Sequence, residues 1–146
     1  MKVLLLRDHF SLHIQTHNLE WHCAVTNTKY PGPRGTLKVS AINRSTVSLD
    51  SFYAQNLHLV PHSRGIMKKA LCTFLQTIPK LYTFMILTAS GRTPGGTLND
   101  LVQYYQRSFG FQIDTAYGTV EEQFMNGLVE MIVPIKTMIS YCDRLT

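Results

Sequence analysis

The chain has 146 residues, enough for one domain with a sizeable core, and its 45% hydrophobic and 16% charged content is an ordinary globular balance that excludes disorder as the default. A formal charge of +5 suits an anionic partner such as a phosphorylated cofactor, nucleic acid or acidic lipid, yet the cations are spread thinly and Lys68-Lys69 is their densest pair. No stretch approaches the roughly 20 apolar residues of a membrane span, and the run at residues 3–6 is too short for a signal peptide. Cys23, Cys72 and Cys142 lie far apart with no C-x-x-C pair, so neither a disulfide framework nor a zinc ribbon is implied. Reduced thiols in a soluble, cytoplasmic protein without a membrane partner are the simplest reading.

Residues 1–7 read as a short buried strand. In residues 8–20, Phe10, Leu12 and Ile14 alternate as in a strand, although Phe10 and Ile14 also share one face of a helix. Residues 21–28 read as a strand ended by a turn at Tyr30-Pro31-Gly32-Pro33. Residues 36–42 alternate cleanly, and Asn43-Arg44-Ser45 turns the chain into a strand over 46–60, completing an antiparallel meander. Ser63 is placed to cap a helix whose apolar face is Ile66, Ala70, Phe74 and Ile78, widened by Leu71 and Leu75. Lys68, Lys69, Thr73, Gln76 and Thr77 fall on its solvent side, and Pro79 closes it.

Residues 81–89 form a nearly continuous apolar run, as for a strand buried on both faces. A Gly- and Pro-rich loop over 90–96 leads to Thr97, which with Asp100 caps a second helix. Its inner face is Leu98, Leu101, Val102, Tyr105 and Phe109, and Gly110 supplies a left-handed stop. Residues 111–117 and 127–135 read as strands, while the tail from Lys136 receives no assignment. The expected fold is therefore α/β, a mixed, mostly antiparallel sheet with helices on both faces, in one domain over residues 1–146.

In residues 57–71 an apolar strand runs into Pro61, then Arg64-Gly65, then the amphipathic helix. In residues 99–111 an Asn precedes the aromatic pair Tyr104-Tyr105, and the helix ends in Gly110-Phe111. Together these segments resemble the GCN5-related N-acetyltransferase (GNAT) family. The resemblance implies transfer of an acetyl or similar acyl group from acyl-CoA to an amine acceptor, small molecule or protein, with acetyl-CoA as co-substrate. The turn's own chemistry agrees: unpaired N–H groups and the positive dipole end at a helix N-terminus attract phosphate, Arg64 offers a planar fork and Lys68 a point charge. By the resemblance, Arg64, Gly65, Ile66, Met67 and Lys68 hold the pyrophosphate, Asn99 assists, and backbone N–H groups of Leu59 and Val60 bind the thioester oxygen.

The sequence departs from the family pattern in two places. Gly65 is the turn's one glycine, with Met67 where a small residue is usual, and the loop is shortened. Gln106 stands where a tyrosine often protonates the leaving thiolate, so Tyr105 is expected in that role, against plain packing beside Val102 and Phe109. His58, Asp50 or a water held by either is the candidate general base. A catalytically silent copy of the fold is an alternative, as is a nucleic-acid-binding protein using Arg34, Lys38, Arg44, Arg64 and Arg92. His9, His13 and His17 have chelating spacing, but no carboxylate or Cys completes a shell and no metal is expected. The loop over 91–96 is expected beside the acceptor cleft. Met125, Met131 and Met138 serve either a homodimer surface or the core.

Overall fold

In the computed structural model, residues 1–91 and 97–144 are described. Strands β1 (Lys2–Arg7), β2 (Phe10–His17), β3 (Glu20–Asn27), β4 (Tyr30–Ala41) and β5 (Thr46–Ala54) pair antiparallel in chain order. Tight turns make this meander. Asp8 and Asn18 stand at their corners with left-handed φ of 50° and 56°, a conformation short polar side chains tolerate. The ambiguous segment after Arg7 is thus a strand, β2, with Phe10, Leu12 and Ile14 buried on one side.

Two expectations about the meander are corrected. The turn lies at Thr28-Lys29, and β4 begins at Tyr30 opposite Asn27 and runs on through Pro31, Gly32 and Pro33. The next cross-strand pair is Val25 with Gly35, so the prolines occupy a register shift with no ladder bond to lose. β5 ends at Ala54, not residue 60, because Asn56 turns left-handed and a short 3-10 turn spans Leu57–Leu59.

Helix α1 (Ile66–Leu75) has Gly65, φ 73°, at its N-cap in place of the expected Ser63, and no side chain caps it. Strand β6 (Phe84–Ser90) buries Met85, Leu87 and Ala89 but exposes Phe84, so it is covered on one face and not both. Helix α2 (Leu98–Phe109) starts with the expected Thr97–Asp100 capping box and stops at Gly110, φ 79°. Strand β7 (Gln112–Ile113) is shorter than the expected 111–117, since Asp114 caps a 3-10 turn over Thr115–Tyr117. Helix α3 (Val120–Asn126) opens on a Thr119–Glu122 capping box, strand β8 (Leu128–Pro134) follows, and the unassigned tail is helix α4 (Ile135–Cys142).

The eight strands form one mixed sheet in the order β1-β2-β3-β4-β5-β6-β8-β7, parallel at β5–β6 and antiparallel at its other junctions. Its helices are unevenly distributed. α4 touches both α1 and α2, and these three cover the face that carries Phe10, Leu12, Leu37, Val39, Val47, Met85 and Met131. Phe74 and Tyr82 meet Trp21 edge-on at 6.1 and 5.8 Å in that layer. The opposite face is open across β2–β5, with His13, Thr36, Lys38 and Ser51 half-exposed. Met131 and Met138 belong to the core, leaving Met125 exposed.

Cys72 of α1 and Cys142 of α4 form a disulfide, with Cα atoms 5.8 Å apart, and this corrects the expectation of reduced thiols. Their separation of 70 residues hid the pairing until the helices were placed together. Cys23 remains free and buried.

Candidate functional site

β5 and β6 pair for only three residues: Thr46 with Phe84, Val47 with Met85 and Ser48 with Ile86. Beyond Ser48 the strands part, although β5 continues to Ala54 and β6 to Ser90. Each stays paired on its outer side, β5 with β4 as far as Gly35–Ala54 save for one bulge, and β6 with β8 as far as Ser90–Leu128. The result is a slot between two firmly held strands. Its facing backbone N–H and C=O groups have lost their neighbour and are free to pair with an inserted extended molecule.

A bulge sits where the slot begins. Val39 pairs with Leu49 and Lys38 with Ser51, so Asp50 is an extra residue on β5. Bulges bend and twist the strand that carries them, which accounts for the parting. Asp50 is exposed there and accepts a hydrogen bond from the Ser40 hydroxyl.

Phe52, just past the bulge, ties the slot to α2. Its ring lies 6.3 Å from Tyr105 and 6.5 Å from Tyr104. Burial pushes the Tyr105 phenol from its ordinary 10.0 up to about 12, so it is neutral and able to donate a proton at physiological pH. The Tyr104 phenol is also raised to about 12 by desolvation of its ring end, although the residue as a whole is partly exposed. Adjacent helical positions point about 100° apart, yet both rings reach Phe52 because they flank it.

At the same end of the sheet stands the N-terminus of α1. Among the described residues, the amides of Gly65, Met67 and Lys68 have no acceptor, whereas Ile66 N–H donates to Ser63 O at 3.0 Å and Lys69 N–H to Gly65 O at 3.0 Å. The Met67 side chain is turned down onto Gly35 of β4, away from those amides. Two cavities meet beside them. One, of about 370 Å³, is lined by Arg7, Asp8, His62 and Arg64. The other, of about 280 Å³, includes Arg7, Gly65, Lys68, Lys69 and Arg144 in its wall. Ion pairs among the described residues are confined to Glu20 with His22 and Lys38, so these cations are free to meet an anion. Burial, then the Arg144 charge, lowers the Lys68 pKa. A bound phosphate would oppose both effects.

The fold as a whole has counterparts among solved structures. The chain is similar to an acetyltransferase from Thermus thermophilus, with TM-score 0.54, 14% identity, and 80% of this chain covering 65% of that one. It is similar to spermidine N-acetyltransferase from Vibrio cholerae, solved with CoA and spermine, with TM-score 0.56, 17% identity, and coverage of 84% and 69%. It is also similar to a GNAT family acetyltransferase from Elizabethkingia anophelis with acetyl-CoA bound, with TM-score 0.56, 13% identity, and coverage of 88% and 99%. No protein-family model matches the chain, and no curated protein matches it by sequence. The chain has the GNAT fold.

Within the GNAT fold, the residues expected from the sequence are distributed as follows. Arg64, Gly65, Ile66, Met67 and Lys68 stand together at the start of α1, and Lys68 is buried there, where solvent exposure was expected. Asn99 is exposed in the first turn of α2. Tyr105 packs on Phe52 beneath the helix-covered face, while Asp50 sits at the bulge with its carboxylate turned to the Ser40 hydroxyl of β4, so the two are not in contact. His58 lies on the exposed 3-10 turn past the end of β5, apart from Asp50. Leu59 and Val60 are not strand donors, because the chain has turned: their amides donate to Asn56 O at 3.2 Å and Leu57 O at 3.0 Å.

The remaining histidines stand apart. His13 Nε2 lies 2.9 Å from Thr26 Oγ1 on the open face, and no group of three metal-binding side chains occurs among the described residues. Residues 92–96, including Arg92 and most of the loop expected beside the acceptor, lie outside the described residues. Sequence reasoning missed Arg7, Lys69 and Arg144, which come from three separate elements and carry no local motif.

Proposed function

We propose that the protein is an acyl-CoA-dependent N-acyltransferase, which moves an acetyl or similar acyl group from acetyl-CoA to an amine of a small molecule or protein. The parting of β5 and β6 after Ser48 carries the reading, because it opens backbone donors beside a basic helix N-terminus. The free amides of Gly65, Met67 and Lys68, with Arg64, Lys68, Lys69 and Arg7 around them, hold the diphosphate end. The slot-facing N–H groups of β5 beyond Ser48, around the Asp50 bulge, take over the oxyanion role expected of Leu59 and Val60. The amine attacks the thioester carbonyl and the C–S bond breaks. Tyr105 gives its phenolic proton to the departing thiolate, and Asp50 or a water it holds receives the amine's proton. Asp50 is favoured over His58 as base because it sits where the slot begins.

The disulfide removes the reduced-thiol basis for a cytoplasmic location and fits an oxidising compartment as well. Calorimetric titration with coenzyme A and with acetyl-CoA, repeated on Arg64→Ala and Lys68→Ala, tests the reading. Saturable binding weakened ~10-fold by either substitution supports it. Turnover of an amine panel then separates an enzyme from a silent copy. Absence of binding, together with salt-sensitive retention on RNA, overturns it in favour of the nucleic-acid reading.

A further inference from the structure

The end of the sheet opposite the slot carries an apolar surface that acyl transfer does not use. There the β2–β3 turn presents Leu19, the β4–β5 turn Ile42 and the α1–β6 loop Leu81, exposed by 61%, 56% and 57%. Phe84 at the start of β6 and Ile139 of α4 add partly exposed side chains. Backbone bonds hold these tips together: Ala41 N–H to Leu19 O, Thr83 and Phe84 N–H to Ser45 O, and Ile135 N–H to Thr83 O. Two shallow cavities of about 310 and 300 Å³ meet at Tyr82, one walled by Leu19, Ile42, Arg44 and Leu81, the other by Lys80, Ile135, Lys136 and Ile139.

Charge chooses the occupant. Arg44 stands two residues from Ile42, Lys80 next to Leu81, and Lys136 less than one helical turn from Ile139. Glu20, the acidic side chain next to Leu19, is already engaged by Lys38 at 3.0 Å. A second copy would bring three cations against three cations. The apolar side chains come from separate tips at the end of the sheet, and three of the four segments, the β4–β5 turn, the α1–β6 loop and α4, pair an apolar group with a cation. That pairing fits an interface where apolar groups enter acyl chains and cations stay at headgroup level. No helix among the described residues is long and apolar enough to cross a membrane, so the contact would be peripheral.

We propose that Leu19, Ile42 and Leu81, with Arg44, Lys80 and Lys136, form a docking surface for an anionic lipid bilayer. Docked this way, the slot beyond Ser48 faces away from the lipid and stays open to solution.

The test is co-sedimentation of the full chain with vesicles of phosphatidylcholine alone and of phosphatidylcholine with roughly one-third phosphatidylserine, at two salt concentrations. Binding to the anionic vesicles is expected, reduced roughly tenfold in Leu19→Ser/Ile42→Ser/Leu81→Ser and similarly in Arg44→Gln/Lys80→Gln/Lys136→Gln. Replacing exposed side chains leaves the core intact, and an unchanged thermal midpoint confirms this for each variant. Failure to bind anionic vesicles overturns the proposal. So does binding that the apolar triple variant leaves unchanged, which would be adhesion through the general positive charge. A dimer in sedimentation equilibrium that the triple variant dissolves would also overturn it, assigning the patch to a protein contact.

Discussion

The thioether of Met67 rests on the backbone of Gly35, so closely that a methyl group added at Gly35 would overlap its sulfur. This contact lets a bulky residue stand in the first turn of α1 with its side chain directed to the sheet. Gly35 makes room on β4, the side chain folds toward the sheet, and the amides at the start of α1 stay uncovered. Gly35→Ala is expected to push the flexible end of the Met67 side chain off β4 toward the helix start, at a cost of about 1 kcal/mol or less, and to weaken coenzyme A binding. Adding Met67→Ala should recover part of both losses. Denaturant titration and calorimetry of the single and double variants measure the coupling, and strict additivity would contradict the contact's role.

Tyr105→Phe should lower kcat ~10²-fold while changing stability little, since only the hydroxyl is removed from a ring held by Phe52 and Phe111. Tyr104→Phe serves as the control and should retain most activity, because Tyr104 is partly exposed where Tyr105 is buried. Steady-state rates with one amine acceptor decide between the two.

Cys142→Ser should cost roughly 2–4 kcal/mol, because the bond closes a long loop and fastens α4 to α1. Urea unfolding with and without reductant measures this. Reductant should lower the native protein to the level of the variant and leave the variant unchanged.

Alkaline pH should destabilise the protein, first through Cys23 and then through tyrosine. Burial raises the Cys23 thiol from its ordinary 9.0 to about 12 and the Tyr105 phenol from 10.0 to about 12. Between each ordinary value and the raised one, the unfolded chain has released a proton that the folded chain still holds, so ionisation favours unfolding. Stability from these groups is intact below about pH 9 and falls as pH rises toward 12, through Cys23 first and the tyrosine after about pH 10. Lys68, lowered by burial, works in the opposite sense. In Cys23→Ala the decline should begin near the tyrosine's ordinary value of 10.0, as followed by urea midpoints across the alkaline range.

Gln123 is 3% exposed and bridges three backbone groups: its Nε2 donates to Asp114 O at 2.9 Å and Gly118 O at 3.0 Å, and its Oε1 accepts from Glu130 N–H at 2.8 Å. Gln123→Ala leaves these groups unpaired and should cost about 2–3 kcal/mol in urea titrations.

Much of the fold was legible because its signals are local. The 3.6-residue stripe from Ile66 to Phe74, the Thr97–Asp100 box and the left-handed Gly110 each announce themselves within one turn of helix. The same logic was available for α3, whose Thr119–Glu122 box went unused. Other features were illegible for physical reasons. Pro31 and Pro33 read as a strand terminator, yet a register shift removes the ladder bonds they would break. Leu57 and Leu59 have strand composition, but Asn56 diverts the backbone before them, so neither Leu59 nor Val60 extends β5 along the slot. Bulges, the Cys72–Cys142 pairing and the Arg7–Lys68–Arg144 gathering arise from contacts between distant segments, where no periodicity exists to be read.

Backbone amide resonances followed through a titration with acetyl-CoA address the central claim most directly. Occupation of the slot predicts that the amides of Gly65, Met67 and Lys68 at the helix start, and those of Leu49 to Phe52 along the bulge, shift together and saturate at one concentration. Saturating acetyl-CoA that leaves both groups unmoved, or moves only the open face around His13 and Lys38, would contradict it.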